Sequence, residues 1–129
     1  MALLYASLEA ELRARRSVIL EANFAVTEAR PTLLRLQRRL PFAPFEVHCT
    51  APAEVLVARY AARSGSRHAG HLDAQRLEEI AQAIVEGRNG PLELGADAVV
   101  LDTTDPDLVE TATVVEAARR HLVRHGHAS

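Results

Sequence analysis

The sequence predicts an α/β protein: a parallel sheet of about three strands, layered between about five helices that cover both of its faces. Three observations predict it. Helical and strand-like periods alternate along the chain. The strand candidates are short continuous apolar runs rather than strict alternations, which marks parallel strands covered on both sides. The length of 129 residues, 48% hydrophobic and 25% charged, suits one ordinary domain with a real core.

Each element follows from its own signal. Leu4, Leu8 and Leu12 recur every four residues and predict a helix that begins almost at Met1. Ser17-Val18-Ile19-Leu20-Glu21-Ala22-Asn23 is the first strand candidate. Pro31 suits the first turn of a second helix, with Leu33, Leu34, Leu36 and Leu40 as its apolar stripe, stopped by Pro41 and Pro44. Phe45 to Thr50 is the second strand, and Pro52 opens a third helix carrying Val55, Leu56 and Tyr60. A polar, glycine-containing stretch follows, Ser64 to His71.

Asp73 is positioned as the N-cap of a fourth helix whose stripe is Leu77, Ile80, Ala81, Ile84 and Val85, ended by Gly87 and Gly90-Pro91. Ala96 to Asp102 is the third strand. Asp105-Pro106 reads as a cap followed by proline, opening a last helix with Leu108, Val115 and Leu122 that runs into a histidine-bearing tail at 123–129. The order implies right-handed crossovers between parallel strands. Three strands are few for five helices. The pattern therefore predicts either strands lent by another chain or a piece of a larger domain.

Composition removes several functions. A net charge of −2 leaves no basic excess for a nucleic-acid partner. No apolar run approaches eighteen residues, so no membrane partner is expected, and the acidic N-terminal segment lacks the basic start of a secretion signal. A single cysteine, Cys49, fits a reducing cytoplasm and reads as a small core residue at a strand end. All 15 Lys-or-Arg positions are arginine. This excludes Schiff-base chemistry, Ser-Lys hydrolysis and a lysine-bearing phosphate loop for these residues acting alone.

In an open parallel sheet, ligands gather beyond the carboxyl ends of the strands. Glu21 ends a hydrophobic strand candidate there, where it reads equally as a metal-water or proton-accepting carboxylate and as a polar strand end. Asp102, Thr103 and Thr104 read foremost as a turn leading to the Asp105 cap. Arg59, Arg63 and Arg67 stand four apart. One face of three guanidiniums suits a polyanion such as nucleotide phosphates, or is simply solvated. His121 and His125 are one helical turn apart and could chelate zinc or nickel, but no acid or cysteine at ligand spacing completes the set. They read foremost as a helix end where histidine suits the dipole.

Together these residues resemble a known family. Val18-Ile19-Leu20-Glu21-Ala22-Asn23-Phe24, the proline- and arginine-bearing helix, His48-Cys49-Thr50-Ala51-Pro52-Ala53-Glu54-Val55-Leu56, and Arg59-x3-Arg63-x3-Arg67-His68-Ala69-Gly70-His71 carry the likeness. They look like the C-terminal two-thirds of a small P-loop kinase, related to AAA-family ATPases, gluconate and shikimate kinases, chloramphenicol phosphotransferase and zeta toxins. The resemblance runs from about Leu4 to about Leu122, and its arginine-to-histidine segment is the most specific part.

The resemblance implies ATP and Mg2+ as cofactors. It implies catalytic roles for Glu21, Arg63 and Arg67, with Glu21 holding magnesium through water. Arg59, Arg63, Arg67, Asp102 and Thr103 would face the nucleotide. Asn23, Phe24 and Arg30 would face the acceptor. His68 and His71 would lie in a lid spanning 59–72. The departure from the family is as specific: the strand, glycine-rich loop and lysine that begin such kinases are not in this sequence. That strand is central in the family sheet, between the strands matching Ser17–Asn23 and Phe45–Thr50. The leading expectation is thus a truncated, split or degenerate kinase that binds ATP weakly when alone. A non-enzymatic assembly module, as a homo-oligomer or beside a separate N-terminal half, is the alternative, and an arginine-lined anion-binding regulator is a third. The acceptor is not legible.

Overall fold

The computed structural model describes residues 2–64 and 72–125, and their side chains except at 63, 64, 72–77 and 80. The chain folds as α1 (Ala2–Arg13), α2 (Val26–Arg39), β1 (Phe45–Thr50), α3 (Ala53–Ser64), α4 (Leu72–Val85), β2 (Asp97–Asp102), a 3-10 turn at Pro106–Leu108, and α5 (Thr111–His125). β1 and β2 pair in parallel, with Phe45 opposite Asp97 and Thr50 opposite Asp102. The connection between them is the α3–α4 pair, as a parallel register requires a crossover. The architecture is the expected α/β one, with five helices and a parallel sheet.

Among the described residues the sheet has two strands rather than three. Residues 17–23 have no regular secondary structure, with a bend at Ala22, and form no ladder. A strand exists only through its neighbour's hydrogen bonds, and the described residues place none beside this segment. Val18 and Ile19 accordingly meet solvent, Ile19 at 98% exposure, while Leu20 turns to the core. The two strands are also not covered on both faces: Val47 and Val100 are exposed, and so is Cys49, which is therefore not a core residue. The helix packed against both strands is α5. Two strands offer too narrow a platform to sandwich.

The core lies elsewhere. Among the described residues, Leu8 of α1, Ala29, Leu33 and Leu36 of α2, and Leu92 of the loop before β2 are the buried apolar ones. Tyr5, Leu12, Leu20, Phe24, Val26, Leu40, Phe42 and Leu94 pack around them. Leu8 and Leu12 of the α1 stripe, with Tyr5 beside them, thus form a packing face.

Helix ends follow local chemistry. α4 ends in a Schellman arrangement: the Arg88 amide donates to the Ala83 carbonyl at 2.9 Å and the Gly87 amide to Ile84 at 3.0 Å. Gly87 takes the left-handed turn this needs, at φ 65°. α1 closes the same way through Arg15, at φ 57°, where no glycine is available. α2 begins at Val26, five residues ahead of Pro31, which sits exposed inside the helix. The Val26 amide, an orphan of the helix start, is satisfied by the Arg88 carbonyl at 2.8 Å. α4 begins at Leu72, so Asp73 lies within its first turn and not at its cap. Asp105 does cap, accepting from the Asp107 amide at 3.0 Å, but the turn it opens is the 3-10 one, and α5 starts only at Thr111. No helix among the described residues is long and apolar enough to cross a membrane.

Candidate functional site at the carboxyl end of the sheet

Because β1 and β2 run in parallel, Thr50 and Asp102 lie side by side at one end of the sheet. The chain leaving β2 is then folded back by its own polar side chains. The Thr103 amide and hydroxyl both donate to the Thr50 carbonyl, at 2.8 and 2.9 Å. Asp102 Oδ1 accepts from the Thr104 amide at 2.8 Å and from its hydroxyl at 2.5 Å. Those two bonds, the hydroxyl's first, hold the Asp102 carboxyl below its ordinary range, and the Arg59 charge adds to the effect. The turn predicted for Asp102-Thr103-Thr104 is the one that forms.

Arg59, on α3, reaches across to this turn. Its Nη2 donates to the carbonyls of Thr103 at 2.5 Å and Thr104 at 3.0 Å, and Nη1 lies 3.4 Å from Thr103 Oγ1. A guanidinium in a fork of carbonyls fixes the loop where a ligand would approach the strand ends. Arg59, Asp102 and Thr103 are therefore brought together, while Arg59 spends donors on the backbone. The side chain of Arg63, and all of Arg67, His68 and His71, lie outside the described residues.

The other expected site residues are dispersed. Glu21 is exposed on the unpaired 17–23 segment, and no hydrogen bond or ion pair engages it among the described residues. Asn23 is exposed, whereas Phe24 packs against the α1–α2 core. Arg30 lies 3.2 Å from Glu93 Oε2 in an exposed ion pair.

A second polar cluster forms at the opposite end of the sheet, and the linear sequence gave little sign of it. Asp97 opens β2, and its Oδ2 lies 2.8 Å from His121 Nδ1 and 2.7 Å from Arg124 Nη2. The His121 hydrogen bond, and then the Arg124 charge, hold the Asp97 carboxyl below its usual range. His121 is buried, with Nε2 3.2 Å from the Ala43 carbonyl and its ring 5.3 Å from that of Phe45. His125 stacks obliquely on it at 4.7 Å. One potential ligand atom from each of Asp97, His121 and His125 lies within 4.8 Å of the others, so these three could hold a metal. The acid judged missing from the histidine pair is supplied from 24 positions upstream.

No family model matches the chain, and no curated protein does. Among solved structures, the chain is similar to a crystal structure of a "putative kinase" from Chloroflexus aurantiacus, with a TM-score of 0.72 and 32% sequence identity. The match covers 94% of this chain and 66% of that one, so these residues span just under two thirds of the neighbour's length. At that identity and coverage, the two-stranded sheet, its α3–α4 crossover and its flanking helices form a kinase-like fold.

Proposed function

We propose that the chain is the acceptor-side and lid-bearing part of a P-loop phosphotransferase, whose completed form moves the γ-phosphate of ATP to a small-molecule hydroxyl with Mg2+. The observation that carries this reading is the likeness to the kinase-described structure over 94% of this chain. The expected nucleotide groups Arg59, Asp102 and Thr103 also meet at the carboxyl end of the sheet.

The residues in hand do not fit a nucleotide triphosphate unaided. Phosphoryl transfer depends on a backbone cradle and a lysine for charge stabilisation. The sequence has no lysine and no Gly-x4-Gly-Lys-Ser/Thr stretch. The Arg59 guanidinium holds backbone carbonyls, which leaves phosphate contacts to Arg63 and Arg67. Magnesium would rest on Glu21 through water, a weak hold for a lone carboxylate. The cradle then has to come from a segment outside these 129 residues. Its natural seat is the β1 edge away from β2, which has no ladder partner among the described residues.

Isothermal titration of the 129-residue protein with Mg-ATP tests this reading. Weak binding without turnover is expected. Tight binding with turnover by this chain alone overturns it. The same open edge, and separately the exposed Val18 and Ile19 of the unpaired segment, support a second reading as an assembly module. Light scattering across a dilution series separates the two. An oligomer that survives dilution favours assembly, and a monomer at all concentrations removes it.

A further inference from the structure

The cluster at the amino end of the sheet has a geometry that its hydrogen bonds alone leave incomplete. The Ala43 carbonyl, 3.2 Å from His121 Nε2, and Asp97 Oδ2, 2.8 Å from Nδ1, are both acceptors. A neutral imidazole carries one N–H and can donate to one of the two. With that proton on Nε2, a metal ion on Nδ1 would satisfy the ring and Asp97 together.

The surroundings suit a metal ion. A metal-bound histidine ordinarily donates its other ring N–H to a backbone carbonyl or a carboxylate, which fixes the ring. His121 Nε2 is placed to make that bond to Ala43, and burial against Phe45 holds the ring in place. His125, one helical turn on, supplies a second imidazole within 4.8 Å of the other two ligand atoms. Ligand atoms around a tetrahedral zinc, with bonds of about 2.0–2.1 Å, stand roughly 3.3 Å apart. The cluster reaches that by opening slightly at Asp97 and closing at the exposed His125. Arg124, which shares Asp97 Oδ2 at 2.7 Å, is the competing cation. Its side chain is 57% exposed and can withdraw to solvent.

We propose that Asp97, His121 and His125 form a binding site for one divalent cation of the zinc class, with a fourth position open to water. Two imidazoles and a carboxylate select borderline ions of the zinc and nickel kind over magnesium. The site ties the last turn of α5 to the first residue of β2. It lies at the end of the sheet opposite Asp102 and Thr103, so it is independent of the phosphotransferase reading.

The test uses the whole chain, stripped with a chelator and titrated with zinc chloride while heat and thermal unfolding are followed. One equivalent should bind saturably and raise the unfolding temperature, with magnesium chloride producing neither effect. His125→Ala leaves the Asp97–His121 contact in place, so it should fold and yet lose at least tenfold in zinc affinity. Arg124→Ala removes the competitor and should bind zinc as tightly as the parent or more tightly. Absence of saturable one-to-one binding overturns the proposal, and so does a His125→Ala protein that binds zinc like the parent.

Discussion

The α1–α2 half of the molecule and the β1–β2–α5 half are held together by different forces. In the first, the buried side chains are apolar: Leu8, Ala29, Leu33 and Leu36, with Leu92 pressed against them. In the second, no apolar side chain is buried to that degree among the described residues, and the buried residue is His121. The sheet half relies on directed polar bonds at its two ends, Asp97 with His121 and Arg124 at one, Arg59 and Asp102 at the other. Burial is tolerant of small displacements, whereas hydrogen bonds to charged groups are not. The sheet half is therefore the part whose geometry another cation, a ligand or an added strand can reset.

Substitutions graded by expected effect can break this contrast. Leu33→Ala removes a buried side chain and should cost about 2–5 kcal/mol in urea unfolding, because lost transfer energy and a cavity add together. A smaller loss than that of any sheet-half substitution breaks the contrast. His121→Ala should cost about 1–3 kcal/mol, since it leaves the Ala43 carbonyl and Asp97 short of a partner. An unchanged midpoint would mean that the amino end of the sheet is held by something other than this ring.

Arg59→Ala should cost about 1 kcal/mol, and limited proteolysis should find the turn after β2 more accessible. Unaltered cleavage there removes the guanidinium from the account of the turn. The finest effect belongs to acid. The Asp102 carboxyl is held low in the folded state. Its contribution is therefore present above the unfolded aspartate value, about 3.9, and is lost as pH falls through the lower folded value. Asp102→Asn should flatten the acid limb of stability below about pH 4 and leave the neutral region nearly unchanged. An acid limb identical to the parent's would take Asp102 out of the second polar end.

What the sequence disclosed and what it hid divide along the same line. Phe45–Thr50 was legible to the residue, bounded by prolines on both sides, and the α4 stripe ended at the glycine that forms its cap. The turn after β2 was legible because Asp102 and Asp105 act on amides two residues away. Ser17–Asn23 misled, since an apolar run records a tendency to pair but not whether a neighbour is present. The exposure of Cys49 misled for a related reason, because strand burial depends on how many helices find room on the sheet.

The pairing of Asp97 with His121 was hidden by its 24-residue separation, although one signal could have exposed it. A helix that follows a strand and packs on it runs back along it. The last turns of α5 therefore return to the start of β2. Of the expected phosphate-facing residues, only Arg59 has a described side chain, and its carbonyl bonds could not be read from a spacing of four.

Leu92 has a consequence for how the molecule comes apart. Among the described residues it is the buried core residue that lies outside the helices, and its amide donates to Glu46 Oε1 of β1 at 2.6 Å. Its neighbours make the same kind of crossing: the Arg88 carbonyl accepts from Val26, and the Leu94 carbonyl lies 3.4 Å from Gln37 Nε2. One short stretch of backbone thus stitches a greasy half to a polar half. Stitching of this kind decides whether a protein melts once or twice. With residues 88–94 in place, amide exchange in α2 and in β1 should share one opening energy. Loosened there, the chain would become two neighbours that unfold in turn.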